Sequence, residues 1–386
     1  MGDSSRRSFL RGTAACACCG VSFGFAGCIG GGDDGGAEEG GESAVDEDAV
    51  DEDQFEEFDP GDEETWYPQL TSTYVERGFE TGDIEELETQ FEERDEPHYG
   101  DAPLETPEDE NEWVDPDIID FAMTPTEDPA QYEDTMEPLI QNIEEETGRD
   151  VEYVILDSYA AVVEAMGAGQ LEVAAFLTGP TPYAVNLAGA VPFSIQVGED
   201  EFGYRLWVIT QADNDEINDL EDLAGANVAH TEPSSNSGHL APNAAFTELG
   251  VTPDEDYEVE FSGGHDNSAN AIYQGDFDAA PICSTCYTRA AEQSGIELDQ
   301  IKSVWASAPF PTTSFSYVYN LHPDLQEGVR NAFLEYDYQD TAIAEEFEGR
   351  GTWIEIDYAT HFHNILVNHE VNGVTYDEDA EELEED

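Results

Sequence analysis

Two periods of hydrophobic spacing alternate along residues 113–376, and that alternation predicts an α/β chain. Ile118 to Met123 is a short apolar run of strand type, after which Tyr132, Met136, Leu139, Ile140 and Ile143 recur at helical spacing towards a stop near Gly148. Val151 to Leu156 predicts the next strand. Tyr159, Val162, Val163 and Met166 mark a helix ending at Gly169, and Glu172 to Leu177 predicts a third strand. Strand-helix units in succession imply a parallel sheet with right-handed crossovers, which makes one lobe.

Tyr204 to Thr210 reads as a strand crossing out of that lobe, and the rhythm then restarts. A strand at Asn227 to His230, a helix over Ala241 to Leu249, a strand at Tyr257 to Phe261, a helix over Asn267 to Tyr273 and a strand at Phe277 to Ile282 make a second, smaller lobe. Val304-Trp305 and Phe315 to Tyr319 read as the return, with Leu325 to Leu334 and later helices completing lobe one. The expected architecture is two discontinuous α/β lobes hinged by two crossing strands, with residues 113–209 and 307–376 in lobe one and 210–306 in lobe two.

Outside those limits the pattern fades. Residues 28–112 are rich in Gly, Asp and Glu, as in Gly30-Gly31-Gly32-Asp33-Asp34, and predict an acidic disordered tether with local structure only around Trp66, Tyr67 and Tyr74 and one helix near Ile84 to Phe91. Residues 377–386 form another acidic tail. Before the tether, Ser5-Arg6-Arg7-Ser8-Phe9-Leu10 leads into a weakly apolar stretch ending Phe25-Ala26-Gly27-Cys28. Paired arginines and a small-small-Cys ending match a twin-arginine (Tat) export signal joined to a lipoprotein box, so residues 1–27 would be removed and the Cys28 thiol lipidated. The stretch is too short and too rich in Gly and Cys to span a bilayer. The expected location is the outer face of the cell membrane.

Charge sharpens this picture. The 386 residues hold 11 Lys plus Arg against 91 Asp plus Glu, a formal net charge of −80, and Lys302 is the only lysine. Self-repulsion on that scale destabilises a fold unless molar salt shortens the Debye length to about 3 Å, so the economical source is a halophile of archaeal type. The acids are not patterned into Ca²⁺ loops, and nucleic acid is excluded as a partner.

Ligands of open α/β sheets bind beyond the carboxyl ends of the strands. In lobe one those ends carry Thr124-Pro125-Thr126, Asp157-Ser158-Tyr159 and Thr178-Gly179-Pro180-Thr181; in lobe two, Ser234-Ser235-Asn236-Ser237, Ser262-Gly263-Gly264-His265 and Cys283-Ser284-Thr285-Cys286. Hydroxyls, glycines and helix starts dominate, with few basic groups, so an anion here would be held by neutral donors, one imidazole and helix N-termini. Ser235 and Ser237 could equally serve only as caps of their own helix.

These residues carry a family resemblance. Thr124-Pro125-Thr126-Glu127-Asp128-Pro129, Tyr159-Ala160-Ala161, Tyr204-Arg205, Leu220 to Gly225, Ser235-Asn236-Ser237-Gly238, Gly264-His265-Asp266 and Gly275 to Ala280 stand in the order seen in phosphate, phosphite and phosphonate substrate-binding proteins of ABC transporters, which the chain resembles over roughly Ile118 to Pro311. The resemblance implies a type II periplasmic-binding-protein fold. It also implies a phosphorus oxyanion held by Tyr159 of lobe one, by Ser235, Asn236, Ser237 and His265 of lobe two, and by a second aromatic, Tyr204, at the crossing; Thr124 joins this ligand set. Asn236 departs from the family's usual threonine. The function implied is an extracytoplasmic, lipid-anchored receptor that delivers its ligand to an ABC permease, with no cofactor, no metal and no catalytic residue.

Several residues keep alternatives. Cys283 and Cys286 on an exported protein favour a disulfide, with free thiols lining the cleft or redox chemistry as the other readings. In the resembling family this region meets the ligand's organic substituent. Asp266 reads as a helix cap, Glu127 and Asp128 as first-turn helix acids, and His361, His363 and His369 as surface histidines in place of a metal site. Two other functions stay open: a receptor or sensor for another small anion such as a sulfonate or phosphate ester, and an exported redox enzyme built on Cys283, Cys286 and His265.

Overall fold

The computed structural model describes residues 68–376, apart from 86, 88–90, 126–130 and 348. The export signal, Cys28, Trp66, Tyr67, Glu127, Asp128 and the tail from 377 lie outside the described residues.

In chain order the first elements are β1 (Gln69–Leu70), α1 (Thr71–Arg77), β2 (Gly82–Asp83), β3 (Ile118–Met123), α2 (Gln131–Thr147), β4 (Asp150–Tyr153), α3 (Tyr159–Gly167), β5 (Val173–Phe176), α4 (Pro180–Ala188), β6 (Ala190–Val197) and β7 (Glu201–Phe202). Next come β8 (Leu206–Gln211), β9 (Asn227–His230), α5 (Ala241–Glu248), β10 (Glu258–Phe261), α6 (His265–Gln274), β11 (Ala280–Cys283), α7 (Ser284–Ser294) and β12 (Ile301–Ala306). The last are β13 (Ser314–Val318), α8 (Pro323–Leu334), α9 (Ala342–Glu346), β14 (Thr352–Glu355), α10 (Tyr358–His361) and α11 (His363–Val371).

Lobe one is built on the sheet β2-β7-β6-β13-β5-β3-β4, with β14 also paired to β6. The helical stripe read from the sequence is the face of α2 that packs on it: Tyr132, Met136, Leu139 and Ile143 are all buried. A second apolar layer, including Phe202, Phe362, Ile365 and Leu366, covers the other face. β3 runs parallel to β4 and β5, but β13 is antiparallel to β5 and β6, so the sheet is mixed where a parallel one was expected. The reason is connectivity: β13 arrives from lobe two, not through a helical crossover on its own sheet.

Lobe two holds the antiparallel sheet β1-β12-β8-β11 and the parallel pair β10-β9, joined through a bridge between Val228 and Ala279. Apolar clusters around Trp207, Tyr287 and Ile272, and around Val228, Phe246 and Leu223, cover it on both sides. The strand expected to cross between lobes therefore lies inside lobe two from Leu206, and so do Val304 and Trp305 of β12. The true crossings are shorter. Tyr204 and Phe310 face each other as an isolated antiparallel bridge, N–H to O at 3.1 and 2.8 Å in the two directions. Gly203 stands at φ +67 with its α-carbon against the Phe310 carbonyl, an approach that only glycine permits.

The tether reading fails for residues 68–112. β1 pairs with β12 of lobe two while β2 pairs with β7 of lobe one, so the chain passes between the lobes a third time, at residues 79–81. Tyr74, Phe79, Leu87 and Phe91 are buried. Four apolar anchors outweigh an acidic average, because Glu76, Asp83 and Glu85 between them stay in water. Arg205 fastens this strap to the crossing: its N–H donates to the Glu80 carbonyl at 3.1 Å, its Nε to the Thr81 carbonyl at 3.1 Å, and its guanidinium lies 4.2 Å above the Phe79 ring.

His361 ends α10, and His363 and His369 lie on α11. His369 is fully buried, between Tyr183 and Tyr376, because α11 packs its apolar face onto lobe one. Among the described residues no cluster of metal-ligating side chains occurs, and no helix is long and apolar enough to cross a membrane.

Candidate functional site

Four helices begin at one cavity between the lobes. α3 and α4 bring Tyr159, Gly179 and Pro180 from lobe one, and α6 and α7 bring His265, Cys283 and Thr285 from lobe two. Each start presents the positive end of a helix dipole. All seven residues expected in the ligand set, Thr124, Tyr159, Tyr204, Ser235, Asn236, Ser237 and His265, line this cavity. Its volume is about 80 Å³. At about 10–15 Å³ per water, it suits a ligand of only a few heavy atoms.

The seven differ in what they have left to donate. Ser235 caps the turn Asn236–Leu240 by accepting the Gly238 N–H at 3.2 Å, so the capping role is real. Accepting that bond leaves its own hydroxyl proton uncommitted by it. His265 Nε2 stands 3.5 Å from Ser235 Oγ, while its Nδ1 faces the Cys283 N–H at 3.4 Å and Thr231 Oγ1 at 3.3 Å. A backbone N–H can only donate, so Nδ1 is the acceptor and Nε2 carries the proton. The imidazole thus offers a donor on the Ser235 side while neutral.

Thr124 contributes less than expected, because its hydroxyl donates to the Ala175 carbonyl at 2.9 Å. Asn236 is a brace: its Nδ2 donates to Tyr204 Oη at 3.1 Å and its Oδ1 accepts from Asn368 Nδ2 at 3.0 Å. It thereby ties the lobe-two loop both to the crossing and to α11 of lobe one. Tyr204 is buried, which raises its pKa against smaller opposing effects of hydrogen bonds to Thr178, Asn236 and Ser237. Its hydroxyl is a junction of the two lobes. Asp266 stands in the first turn of α6 and does not cap it; the cap position is Gly264, without a side-chain bond.

Gly179 makes a close interlobe approach. Its α-carbon lies against the carbonyl of Ser234 and near the N–H of Asn236, leaving no room for a β-carbon. A further link runs from Asn372 Nδ2 to the Leu240 carbonyl at 2.9 Å.

Cys283 and Cys286 are disulfide-paired, both buried and both on the cavity wall. Arg289 and Arg350 also line the cavity and were missed by the reading of the strand ends. Arg350 is 7% exposed, and its Nε binds Glu201 Oε1 at 3.2 Å. A signal existed: with 11 basic residues in the chain, any arginine in the folded part is notable, and Arg289 stands one helical turn after Cys286.

Known proteins similar to this chain fall in one family. Residues 121–361 match the family described as the phosphonate periplasmic substrate-binding protein of ABC transporters. The chain is 34% identical over 249 residues to the Phosphate-import protein PhnD of Mycolicibacterium smegmatis, spanning 61% of this chain and 75% of that one. The Phosphonates-binding periplasmic protein of Escherichia coli is 22% identical over 223 residues, 56% of this chain and 66% of its own length. Among solved structures, PhnD1 of Prochlorococcus marinus in complex with methylphosphonate superposes with a TM-score of 0.57 at 15% identity, over 68% of this chain and all of that one (100%), a likeness of fold.

Proposed function

Because the chain belongs to the phosphonate periplasmic substrate-binding proteins of ABC transporters, we propose that its interlobe cavity captures a small phosphorus oxyanion, a phosphonate, phosphite or phosphate, and presents it to the permease. Tyr159 from lobe one and Ser235, Ser237 and His265 from lobe two are the direct donors. Asn236 and Tyr204 hold the lobes in the arrangement that brings those donors together. Ligand that touches both lobes stabilises the closed form by its differential affinity, and the closed form is what the permease reads.

One observation carries this reading: the starts of α3, α4, α6 and α7 converge with Ser235, Ser237 and His265 on a cavity of about 80 Å³. Neutral donors and helix dipoles can hold a tetrahedral anion there without a lysine. Export through the Arg6-Arg7 signal and anchoring through a lipidated Cys28 are part of the same proposal, supported by the sequence alone.

Calorimetric titration in molar KCl against phosphate, phosphite, methylphosphonate, sulfate and an alkanesulfonate tests it. The expected result is micromolar or tighter binding of at least one phosphorus oxyanion, lost in His265→Ala. Binding of none of them below about millimolar, or unaltered tight binding by His265→Ala, would overturn the assignment.

A further inference from the structure

The disulfide occupies an unusual position for a structural crosslink. It spans residues only three apart in sequence, Cys283 at the end of β11 and Cys286 in the first turn of α7, so it closes a very short loop. A loop that small removes little freedom from the unfolded chain, and stabilisation is a weak reason for its presence. Its surroundings are functional. Both cysteines line the anion cavity, the N–H of Cys283 faces His265 Nδ1 at 3.4 Å, and Tyr204 and Phe310 of the crossing pack against the pair. Cys283 Sγ also accepts the Cys286 N–H at 3.2 Å and lies 3.4 Å from Thr285 Oγ1, so the sulfur itself caps α7.

Taking the cavity to be the oxyanion site proposed above, we infer that the Cys283–Cys286 disulfide is a redox gate on anion binding: the oxidised pair admits the ligand and the reduced pair repels it. In the disulfide both sulfurs are uncharged. An external dithiol supplies two electrons and two protons; the S–S bond breaks, two thiols form, and the dithiol closes to its own disulfide. A Cys-x-x-Cys thiol at a helix N-terminus ionises readily, since the Cys286 N–H that already caps onto Cys283 Sγ and the positive end of the α7 dipole stabilise the thiolate. Reduction thus puts a negative charge on the wall of a cavity built for a negative ligand.

The other titratable or charged groups facing this wall are His265 from α6, Arg289 from α7, Tyr204 from the crossing, and Tyr159, Tyr132 and Arg350 from lobe one. The two arginines lessen the repulsion without removing it, because they are equally present in the oxidised form.

The test compares the full chain with and without dithiothreitol, in molar KCl, with methylphosphonate and inorganic phosphate as probes, the thiol state being verified by alkylation and mass spectrometry. Comparing oxidised with reduced protein at the same pH holds the ligand's charge the same within each pair. Reduced protein is expected to bind at least about tenfold more weakly at about pH 8.5, with the deficit shrinking towards about pH 6 as the thiolate is protonated. The double variant Cys283→Ser, Cys286→Ser is expected to bind equally with and without reductant. Equal affinity of the fully reduced and oxidised wild type at both pH values overturns the gate. So does a deficit independent of pH, which would make the crosslink a positioning device only. Absence of binding by the oxidised protein refutes the oxyanion site itself, and the gate with it.

Discussion

The α-carbon of Gly179 in lobe one lies directly against the carbonyl of Ser234 in lobe two. Gly179 has ordinary right-handed dihedrals, φ −67 and ψ −48, so alanine there would be unstrained in an open molecule. Only closure would suffer. Gly179→Ala is expected to weaken ligand binding by about tenfold or more while changing the stability of the ligand-free protein by less than about 0.5 kcal/mol. Titration and thermal unfolding on the same sample check it, and an unchanged affinity would show that the lobes need not approach this closely.

Ser235 and Thr124 separate the ligand contacts from the framework. Thr124 spends its proton on Ala175, whereas Ser235 accepts the Gly238 N–H and sits beside His265 Nε2. Ser235→Ala should lower oxyanion affinity by roughly ten- to a hundredfold, in line with the about 1.5–3 kcal/mol of a hydrogen bond to a charged group. Thr124→Val should leave affinity within about threefold and cost about 1 kcal/mol of stability. Equal losses of affinity in the two variants would place Thr124 back among the ligand contacts.

The strap through residues 69–83 is integral to the body. Tyr74 is 1% exposed, packed between Phe79 and Trp207. Tyr74→Ala should destabilise the protein by about 3–5 kcal/mol, the range for deleting a buried aromatic ring. A change below about 1 kcal/mol in salt-matched denaturant titration would restore the tether reading for this segment.

Acid should loosen the protein through its buried histidines. Burial holds His369 down to about 4, against a smaller opposing effect of the Gly179 backbone, and burial likewise holds His239 at about 4. Both lie below the unfolded value near 6.5, so the unfolded chain takes up protons first. Their stabilisation is complete above about pH 6.5 and is lost as pH falls towards about 4, up to about 3 kcal/mol for His369. Glu232, raised to about 7 by burial, contributes the opposite slope, because its folded carboxyl keeps a proton longer than the unfolded one. The difference between wild type and His369→Phe isolates the histidine: the variant should lose less stability than the wild type between about pH 6.5 and about pH 4.5. Parallel curves would refute it.

The helical stripe of α2 and the turns that carry Ser235 and His265 were legible because their periods and small residues are local signals. α4 and β6 were not. Pro180, Tyr183, Ala184, Val185 and Ala188 are buried around most of the helix, and β6 is buried along nearly its whole length, so neither shows a polar face to set a period. The strap was hidden for the opposite reason, a few apolar anchors diluted by acids. Arg289 and Arg350 give no signal at the strand ends, since one lies inside a helix and the other beyond α9. The braces Asn236 to Asn368 and Asn372 to Leu240 join positions far apart in the chain, which no local pattern encodes.

Pairing of Gln69 with Ser303 also fixes an order of events during synthesis. The edge of the lobe-two sheet cannot accept β1 until β12 exists, so the first described segment is among the last able to dock. Through most of translation β1 itself therefore remains undocked. Completion of the fold then becomes a late, long-range step, slow by the loop that must close and visible as the docking of Tyr74 beside Trp207.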